Sequence, residues 1–230
     1  MRYALGALAL LLLVAGPATA GKTKGKGKAR GHQGTPLNMP RGWTWPPSQD
    51  MVDEGQRCLE HLDELGVKWQ AAPAEKKITT PIYVPEMVFG GVKVVPTFRK
   101  PPFVMDCQLA EDLEVAGGPT LAALGVVEIR FGGIFEYRTI HGKSILSRHA
   151  IGLAIDIYEM VTDDGVVHVV ASDYKKGDEV LLAAEKALRG AGYFRGPLTP
   201  GNDPVAHHDH FHLEGRTAIE RSVAPAPPAI

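Results

Sequence analysis

Residues 207–212 read His-His-Asp-His-Phe-His, which places four of the nine histidines of the chain beside one carboxylate. A second stretch, residues 147–156, reads Ser-Arg-His-Ala-Ile-Gly-Leu-Ala-Ile-Asp. Imidazole and carboxylate groups are the ligands from which proteins build zinc and other divalent-metal sites. The two stretches therefore predict one metal site, and the fold has to bring them together.

The upstream stretch runs into a predicted strand whose two faces differ. Because alternate side chains of a strand point to opposite faces, Asp156 shares one face with Ala154 and Tyr158, and the apolar residues between them point to the core. A lone aspartate in an apolar strand is costly to bury without a partner, and a metal ion would be such a partner. The small side chain of Ala154 leaves room beside the carboxylate.

The final predicted strand shows the same alternation. His210 and His212 project to one face, and the apolar residue after each of them projects to the core. His149 precedes Gly152, so a turn lets it approach Asp156. One carboxylate with two or three imidazoles and an open position is typical of a catalytic zinc site rather than a structural one. The alternative is a surface histidine cluster in which Asp156 only caps a turn or forms a salt bridge.

Length and composition limit the possible classes of protein. The chain has 230 residues, enough for one good core and at most two domains. The apolar fraction of 44% and the charged fraction of 22% lie near globular averages, which argues against a disordered chain or a coiled coil. The formal net charge of −1 gives no general argument for nucleic acid as a partner.

The N-terminus predicts secretion. Residues 1–20 combine a basic start, an apolar run and an Ala-x-Ala pattern, as a signal peptide does, and a retained membrane anchor is the alternative. We therefore expect a periplasmic or secreted protein with no transmembrane span after cleavage. Residues 21–47 read as a basic and then Pro-rich linker. Its Lys-rich leader is either simply solvated or makes electrostatic contact with an anionic envelope.

The folded domain is predicted over residues 48–216. Trp43 and Trp45 of the linker are expected to fold back on this domain. Residues 217–230 read as a disordered Pro/Ala tail.

The periodicity of the domain indicates helices and strands that do not alternate regularly. Ser48 is a suitable N-cap for a helix over residues 50–65 that Gly66 ends. Further helices are predicted over residues 108–115, with a break at 117–119, and over 120–124 and 178–188. Strands are predicted within residues 71–102, over 126–131 and 134–138, in a hairpin of 153–161 with 166–170, and at the final histidines. These elements predict an α+β fold with a mostly antiparallel sheet and flanking helices.

The chain has two cysteines, Cys58 and Cys107. In an oxidising compartment an even pair most simply forms a disulfide. The alternative is metal ligation, although both cysteines lie far in sequence from the histidine-rich stretches. An unstrained disulfide between them would stabilise the fold by roughly 4 kcal/mol.

Ser147, His149, Gly152, Ala154 and Asp156 follow the pattern Ser-x-His-x2-Gly-x-Ala-x-Asp. This pattern resembles the signature of the lysostaphin/D-Ala-D-Ala metallopeptidase group, which are zinc peptidases that act on bacterial cell walls. The wider layout is similar to that of the bacterial extensin-like C-terminal domain family. The residues that carry this second resemblance are Cys58-Leu59, Cys107-x-Leu109-Ala110, Tyr137-Arg138 and Asp209-His210-Phe211-His212-Leu213.

The resemblance implies roles for individual residues and a fold like that of the metallopeptidase group. His149, Asp156 and His212 would bind Zn²⁺, and Asp209 would be the general base that activates the attacking water. His210 would stabilise the transition state or assist proton transfer. A fully extended strand would turn Asp209 away from His212, so the base role requires a bend at Asp209.

Four further residues belong to the predicted site or its surroundings. Arg138 would bind a substrate carboxylate or the developing oxyanion, and a surface salt bridge is the alternative. His207 matches an additional histidine of murein endopeptidases in the group, and Ser147 is an auxiliary residue of the motif. His208 receives no role.

Hypotheses of different classes follow from these residues. The first is a zinc-dependent peptidase that hydrolyses a peptide bond in the peptide stems of peptidoglycan. The second is a non-catalytic cell-wall binding or structural module with a stabilising metal site. Another metal-dependent hydrolase would use the same ligands, but the near-neutral charge weakens a nuclease. The bond type, D,D-, L,D- or D,L-, would depend on loops such as residues 79–102 and 174–177.

Overall fold

The computed structural model describes residues 38–223 of the chain. The helices are α1 (Gln49–Glu64), α2 (Cys107–Asp112), α3 (Gly118–Ala122), α4 (Val170–Asp173), α5 (Glu179–Gly190) and α6 (Ala218–Ser222). The strands are β1 (Gln70–Ala71), β2 (Pro81–Tyr83), β3 (Val88–Phe89), β4 (Val92–Pro96), β5 (Val104–Asp106), β6 (Val126–Gly133), β7 (Ala154–Thr162), β8 (Val167–Val169), β9 (Phe194–Leu198) and β10 (Phe211–Gly215). Short 3-10 turns at Arg148–Ile151 and Tyr174–Lys176 and a π-helical turn at Leu113–Gly117 complete the described elements.

Strand β7 lies inside a seven-stranded sheet of order β3-β4-β6-β7-β10-β9, with β8 also paired to β7. The pairs are antiparallel except for β4 and β6, which are parallel. Strands β1, β2 and β5 form a second, antiparallel sheet. The predicted α+β fold with a mostly antiparallel sheet and flanking helices is confirmed.

The central strands bury one face. Ile155 and Ile157 of β7 lie opposite the two apolar residues of β10, and all four side chains are buried. The same core cluster includes apolar residues of α2, α3 and α5. Because alternate side chains point to opposite faces, Asp156 and His212 point away from this core. The alternation predicted for both strands is therefore present.

Local signals set several elements as expected. The Ser48 hydroxyl accepts a hydrogen bond from the Met51 amide at 3.3 Å and caps α1, and Gly66 follows the helix with a φ of +77°. The predicted hairpin joins β7 to β8, and its turn is closed by the Thr162 amide, which donates to the Val166 carbonyl at 3.0 Å. Short-range hydrogen bonds and backbone preferences are sufficient to define these features.

The helix that starts at Cys107 does not break at residues 117–119, so this part of the prediction is wrong. The π-helical turn between α2 and α3 keeps the chain helical, and Pro119 lies directly after this turn, where the hydrogen-bond pattern changes from π-helical to α-helical. Gly118 is required for a different reason, since a Cβ there would overlap the carbonyl oxygen of Phe89. Gly118 permits close packing against β3, Gly117 lies against Phe194 of β9, and neither glycine ends the helix.

The two strands predicted over 126–131 and 134–138 are one strand, β6, followed by an irregular segment. The last pair of β6 with β7 joins Gly133 to Asp156, and β7 begins only two residues earlier in the chain, at Ala154. Few residues of β7 therefore remain to pair with the chain after Gly133. Residues 134–138 turn instead toward the 3-10 turn at Arg148–Ile151. The Glu136 amide donates to the His149 carbonyl there at 3.2 Å.

The folded part is longer at both ends than the predicted 48–216. Trp43 is 8% exposed and packs in the core, whereas Trp45 remains 40% exposed, so only the first tryptophan folds back as expected. Residues 218–222 form α6 where a disordered tail was predicted. Arg221 of this helix bonds to the buried carboxylates of Glu111 and Asp112 at 2.6 and 2.5 Å. Buried carboxylates need such a partner, and the sequence of the tail alone does not show it.

The predicted signal peptide, residues 21–37 of the linker and the tail from residue 224 lie outside the described residues. Within residues 38–223, no helix is long and apolar enough to cross a membrane.

The predicted disulfide is present between Cys58 of α1 and Cys107 at the start of α2. Replacing both cysteines by alanine should lower the free energy of unfolding by about 2–5 kcal/mol, because the unfolded chain loses a cross-link between residues 49 positions apart. Urea denaturation measures this change, and reduced wild-type protein should behave like the variant. An unchanged unfolding midpoint in both would contradict a stabilising bridge.

Candidate metal centre

Three side chains converge on one point at the polar face of the sheet. The Nε2 atom of His149 lies 3.1 Å from the Nδ1 atom of His212 and 3.1 Å from Oδ1 of Asp156. The His212 Nδ1 lies 2.8 Å from the same carboxylate oxygen. Within residues 38–223, His149, Asp156 and His212 form a group that could hold a metal ion, because one potential ligand atom of each lies within 4.8 Å of the others. The structure thus brings the three predicted ligands together.

The sheet and one turn position these ligands. Asp156 and His212 are direct partners across the antiparallel pair of β7 and β10. His149 comes from the 3-10 turn, where its amide donates to the Ser147 hydroxyl at 3.3 Å. Gly152 ends the turn with a φ of +69°, and a Cβ there would come within 2.7 Å of the Asp106 amide nitrogen. The turn that was predicted to carry His149 toward Asp156 therefore depends on Gly152.

A buried ion-pair network holds this turn in place. Arg148, which precedes His149, is 1% exposed and binds both carboxylate oxygens of Glu220 at 2.8 and 2.5 Å. Its Nη1 also donates to the carbonyl of Gly215 at 2.8 Å. The network joins α6 and the end of β10 to the turn that carries the first ligand.

The outer nitrogen of each ligand histidine is already engaged. The Nδ1 atom of His149 lies 2.7 Å from the Ile134 carbonyl, and Nε2 of His212 lies 3.3 Å from Oε1 of Glu214. Carbonyl and carboxylate oxygens only accept, so these outer nitrogens carry hydrogens, and the inner nitrogens face the point where a cation would bind once it has displaced the proton shared there. The donor set, two imidazole nitrogens and one carboxylate oxygen, fits a divalent metal such as zinc.

Charges around His212 favour a cation at this point. Burial alone would lower the pKa of His212, but hydrogen bonds to Asp156 and Glu214 raise it to about 9. Burial opposes ionisation of both carboxylates, yet His149 and His212 hold the pKa of Asp156 well below its usual range, and His212 helps to lower that of Glu214 to about 2. The carboxylates of Asp156 and Glu214 therefore stay ionised on either side of the His212 imidazole, which they keep positively charged.

Two imidazole–carboxylate pairs stand beside the metal group. The His210 Nδ1 bonds to Oδ1 of Asp209 at 2.8 Å, and its Nε2 lies 3.5 Å from Oδ1 of Asp156. The His207 Nδ1 bonds to Asp203 at 2.9 Å. The chain bends at residues 207–210, as a role for Asp209 requires, and the bend directs this carboxylate to His210.

The metal group lies in a cleft of about 730 Å³. Arg138 lies in its wall and donates from Nε to Glu136 at 3.1 Å, and Arg99 approaches the same carboxylate at 3.8 Å. Two guanidinium groups share one carboxylate there, which leaves a net positive charge for an anionic ligand. Arg138 thus forms the salt bridge that was the alternative to a substrate-binding role, and it does so in the wall of the cleft.

Ser147 and His208 lie outside the metal group. Ser147 is buried and acts as the cap of the 3-10 turn, so its contribution is to the position of His149. His208 is exposed, and its Nε2 lies 4.0 Å from Asp209. No contact between His208 and the three candidate ligands is present among residues 38–223.

Sequence reasoning missed three residues of the centre. Glu214 supports His212 and is itself held by Arg195 at 2.8 Å. Alternation in β10 places Glu214 on the face of His212, so the signal was present. Asp203 pairs with His207, and its spacing of four residues gives only a weak signal. Tyr158 was placed on the face of Asp156, but its contact with His210 is not visible in the sequence.

Fold and centre define an α+β protein with a two-histidine, one-aspartate group that could hold a metal, set in an open cleft. The family model described as extensin-like protein C-terminus matches residues 56–223, so the chain belongs to this family. No curated protein and no solved structure matches the chain. The predicted membership of the extensin-like C-terminal domain family is thereby confirmed.

Proposed function

We propose that this protein is a zinc-dependent peptidase that hydrolyses a peptide bond in bacterial cell-wall peptidoglycan. The observation that carries the proposal is the convergence of His149, Asp156 and His212 in an open cleft, with His210 within reach of the same point. The likeness of the Ser-x-His motif to cell-wall zinc peptidases supports the substrate. The disulfide is compatible with a periplasmic or secreted protein.

A bound Zn²⁺ would supply a Lewis acid that polarises the scissile carbonyl and lowers the pKa of water. His149, Asp156 and His212 would hold it. With these three groups as its protein ligands, the ion would keep a position for substrate and water, as in catalytic sites.

The Asp209–His210 pair would move the proton. In the neutral form of His210 with its hydrogen on Nδ1 and donated to Asp209, Nε2 would offer a lone pair on the side of the metal group. His210 can accept a proton from the attacking water and deliver it to the leaving amine as the C–N bond breaks. Asp209 would then act through His210, a refinement of its predicted role as direct base.

Substrate binding would use the positive wall of the cleft. Arg138 and Arg99 share Glu136, so a substrate carboxylate could replace Glu136 on either guanidinium. Peptide stems carry such carboxylates. The Lys-rich leader, which lies outside the described residues, would add electrostatic contact with an anionic envelope.

The proposed activity is tested by incubating the mature protein with muropeptides and identifying the products by mass spectrometry, with His149→Ala as the inactive comparison. Loss of a stem-peptide bond in the wild type alone is the expected result, and the masses identify the bond. Zinc binding without turnover of any muropeptide, together with retention on wall sacculi, would favour a non-catalytic cell-wall module.

Zinc affinity should depend on pH. Because the pKa of His212 is about 9, its ring carries a second proton at neutral pH, and zinc has to displace that proton. The apparent zinc affinity should therefore rise about tenfold per pH unit between about pH 6 and 8. The same raised pKa stabilises the metal-free fold at pH values below the usual histidine pKa, and this contribution is lost as the pH rises through 9. Competition with a chromophoric chelator, corrected for its own protonation, measures the affinity. A flat profile would contradict the assignment of His212 as a ligand.

Glu214 should contribute to zinc affinity although it is not a ligand. Glu214→Ala is expected to weaken binding about 10–100-fold, because His212 loses the acceptor that orients its ring. Glu214→Gln keeps an acceptor oxygen and should lose less. Glu159→Ala, which removes a carboxylate of β7 that pairs with Arg130 away from the centre, is the matched control. Equal affinities of Glu214→Ala and the control would contradict the orienting role.

A further inference from the structure

Tyr158 stands in the cleft without a role in the reaction proposed above. It follows Asp156 by two residues on the same face of β7 and lines the same cleft. Its ring stacks on the imidazole of His210, with centroids 5.1 Å apart and planes inclined by 28°. His210 is therefore in contact with the Asp209 carboxylate at one nitrogen, the Tyr158 ring at its face, and the His207 ring, whose centroid lies 5.0 Å away with the planes inclined by 65°.

The structure makes room for this ring. On the neighbouring strand β6, a Cβ at Gly132 would overlap the Tyr158 ring, so glycine leaves the space that the ring occupies. Phe98 meets the ring edge-on at a centroid distance of 6.4 Å. No hydrogen bond from the Tyr158 hydroxyl to another residue is present within residues 38–223. The ring, rather than the hydroxyl, makes the contacts.

His210 needs such a contact. It lies in the bend of residues 207–210, just before β10 begins, and Asp209 is itself partly exposed. A single hydrogen bond to Nδ1 fixes where that nitrogen points but leaves the ring free to rotate about the bond axis. The His207 ring meets the imidazole at a steep angle, and the stacked Tyr158 ring covers its face and so restrains its plane. In that plane Nε2 lies 3.5 Å from Oδ1 of Asp156.

We propose that Tyr158 is a positioning residue for His210: its ring face holds the imidazole so that Nε2 faces the metal group. The inference rests on the proposed peptidase function. It assigns the aromatic ring, and not the phenol hydroxyl, to catalysis through His210.

Two substitutions separate ring from hydroxyl. Tyr158→Leu removes the stacking face and should lower kcat on the muropeptide that the wild type cleaves by about 100-fold, the effect of a misplacement of roughly 1 Å. KM and zinc affinity should stay close to wild type, because the substrate wall and the ligands are untouched. Tyr158→Phe keeps the ring and should restore most of kcat. A Phe variant as slow as the Leu variant, or a Leu variant as fast as wild type, would overturn the proposal.

Gly132→Ala tests the same contact without changing Tyr158. The added methyl group should push the ring off His210 and lower kcat, with no further loss when it is combined with Tyr158→Leu. Equal losses in both backgrounds would show that Gly132 acts independently of the ring and would count against the proposal.

The NMR signals of His210 give a readout that requires no peptidase activity. The ring current of Tyr158 should shift the His210 carbon-bound protons upfield in the wild type and in Tyr158→Phe, and not in Tyr158→Leu. Identical shifts in all three proteins would overturn the stacking itself. A wild type that cleaves no muropeptide would instead contradict the proposed function, so the two failures are distinguishable.

Discussion

Replacing His149 by alanine is expected to weaken zinc binding by more than about 100-fold and to remove hydrolysis. The Nε2 atom of His149 is within 3.1 Å of both other ligand groups, so its loss leaves one imidazole and one carboxylate. Replacing a residue that only supports a ligand typically weakens metal affinity about 10–100-fold, so replacing a ligand itself should weaken it by more. Competition with a chelator measures the affinity, and the muropeptide assay measures the activity.

His208→Ala is the matched control for this experiment. It removes a histidine from the same cluster, but His208 is exposed and contacts none of the ligands. Wild-type affinity and activity are expected. Since His149 is buried, the unfolding midpoint of each apo variant should also be measured, so that a collapsed fold is not mistaken for a lost ligand. Full zinc affinity in a folded His149→Ala protein would exclude the centre described above.

His210→Ala should lower kcat by about 10²–10⁴-fold while zinc remains bound, because the variant keeps all three ligands and loses the group that moves the proton. The structural reason is the position of Nε2, 3.5 Å from the Asp156 carboxylate and on the open side of the metal group. Steady-state kinetics on the cleaved muropeptide measure the loss. Unchanged kcat in the variant would remove His210 from the mechanism.

Asp209→Ala distinguishes the two roles considered for this carboxylate. If Asp209 acts through His210, the Asp209→Ala variant should lose less kcat than His210→Ala. The double variant should then be no slower than His210→Ala alone, since the effects of residues that act as a unit are not additive. If Asp209 itself takes the proton, Asp209→Ala should be the more damaging single change. Cleavage that survives intact in Asp209→Ala would contradict both roles.

The sequence alone predicted the features that depend on short-range order. The N-cap at Ser48, the β7–β8 hairpin and the alternation around Asp156 and His212 are each determined by residues a few positions apart, and all are present. The disulfide followed from the count of cysteines and their expected compartment. The three candidate metal ligands were predicted from their residue types and from motifs that resemble known ones, and the register of β7 and β10 places two of them directly opposite each other.

Features that depend on distant partners needed the tertiary structure. The glycines at 117–118 predicted a helix break, because nothing near them in the sequence indicates that strand β3 packs against Gly118. The tail after residue 216 read as disordered because the buried carboxylates that bind Arg221 lie about a hundred positions earlier. In both cases local propensity was overridden by a contact that only the folded chain creates.

The candidate metal site shows the same division between sequence and tertiary structure. Its donor types and their order along the chain were fixed by sequence, since the chemistry of imidazole and carboxylate does not depend on the fold. Which nitrogen of each histidine faces inward depended on Ile134 and Glu214, and the direction of Asp209 depended on the bend before β10. Hydrogen-bond geometry and ring stacking over a few ångströms decide such details, and only the tertiary structure specifies distances of that kind.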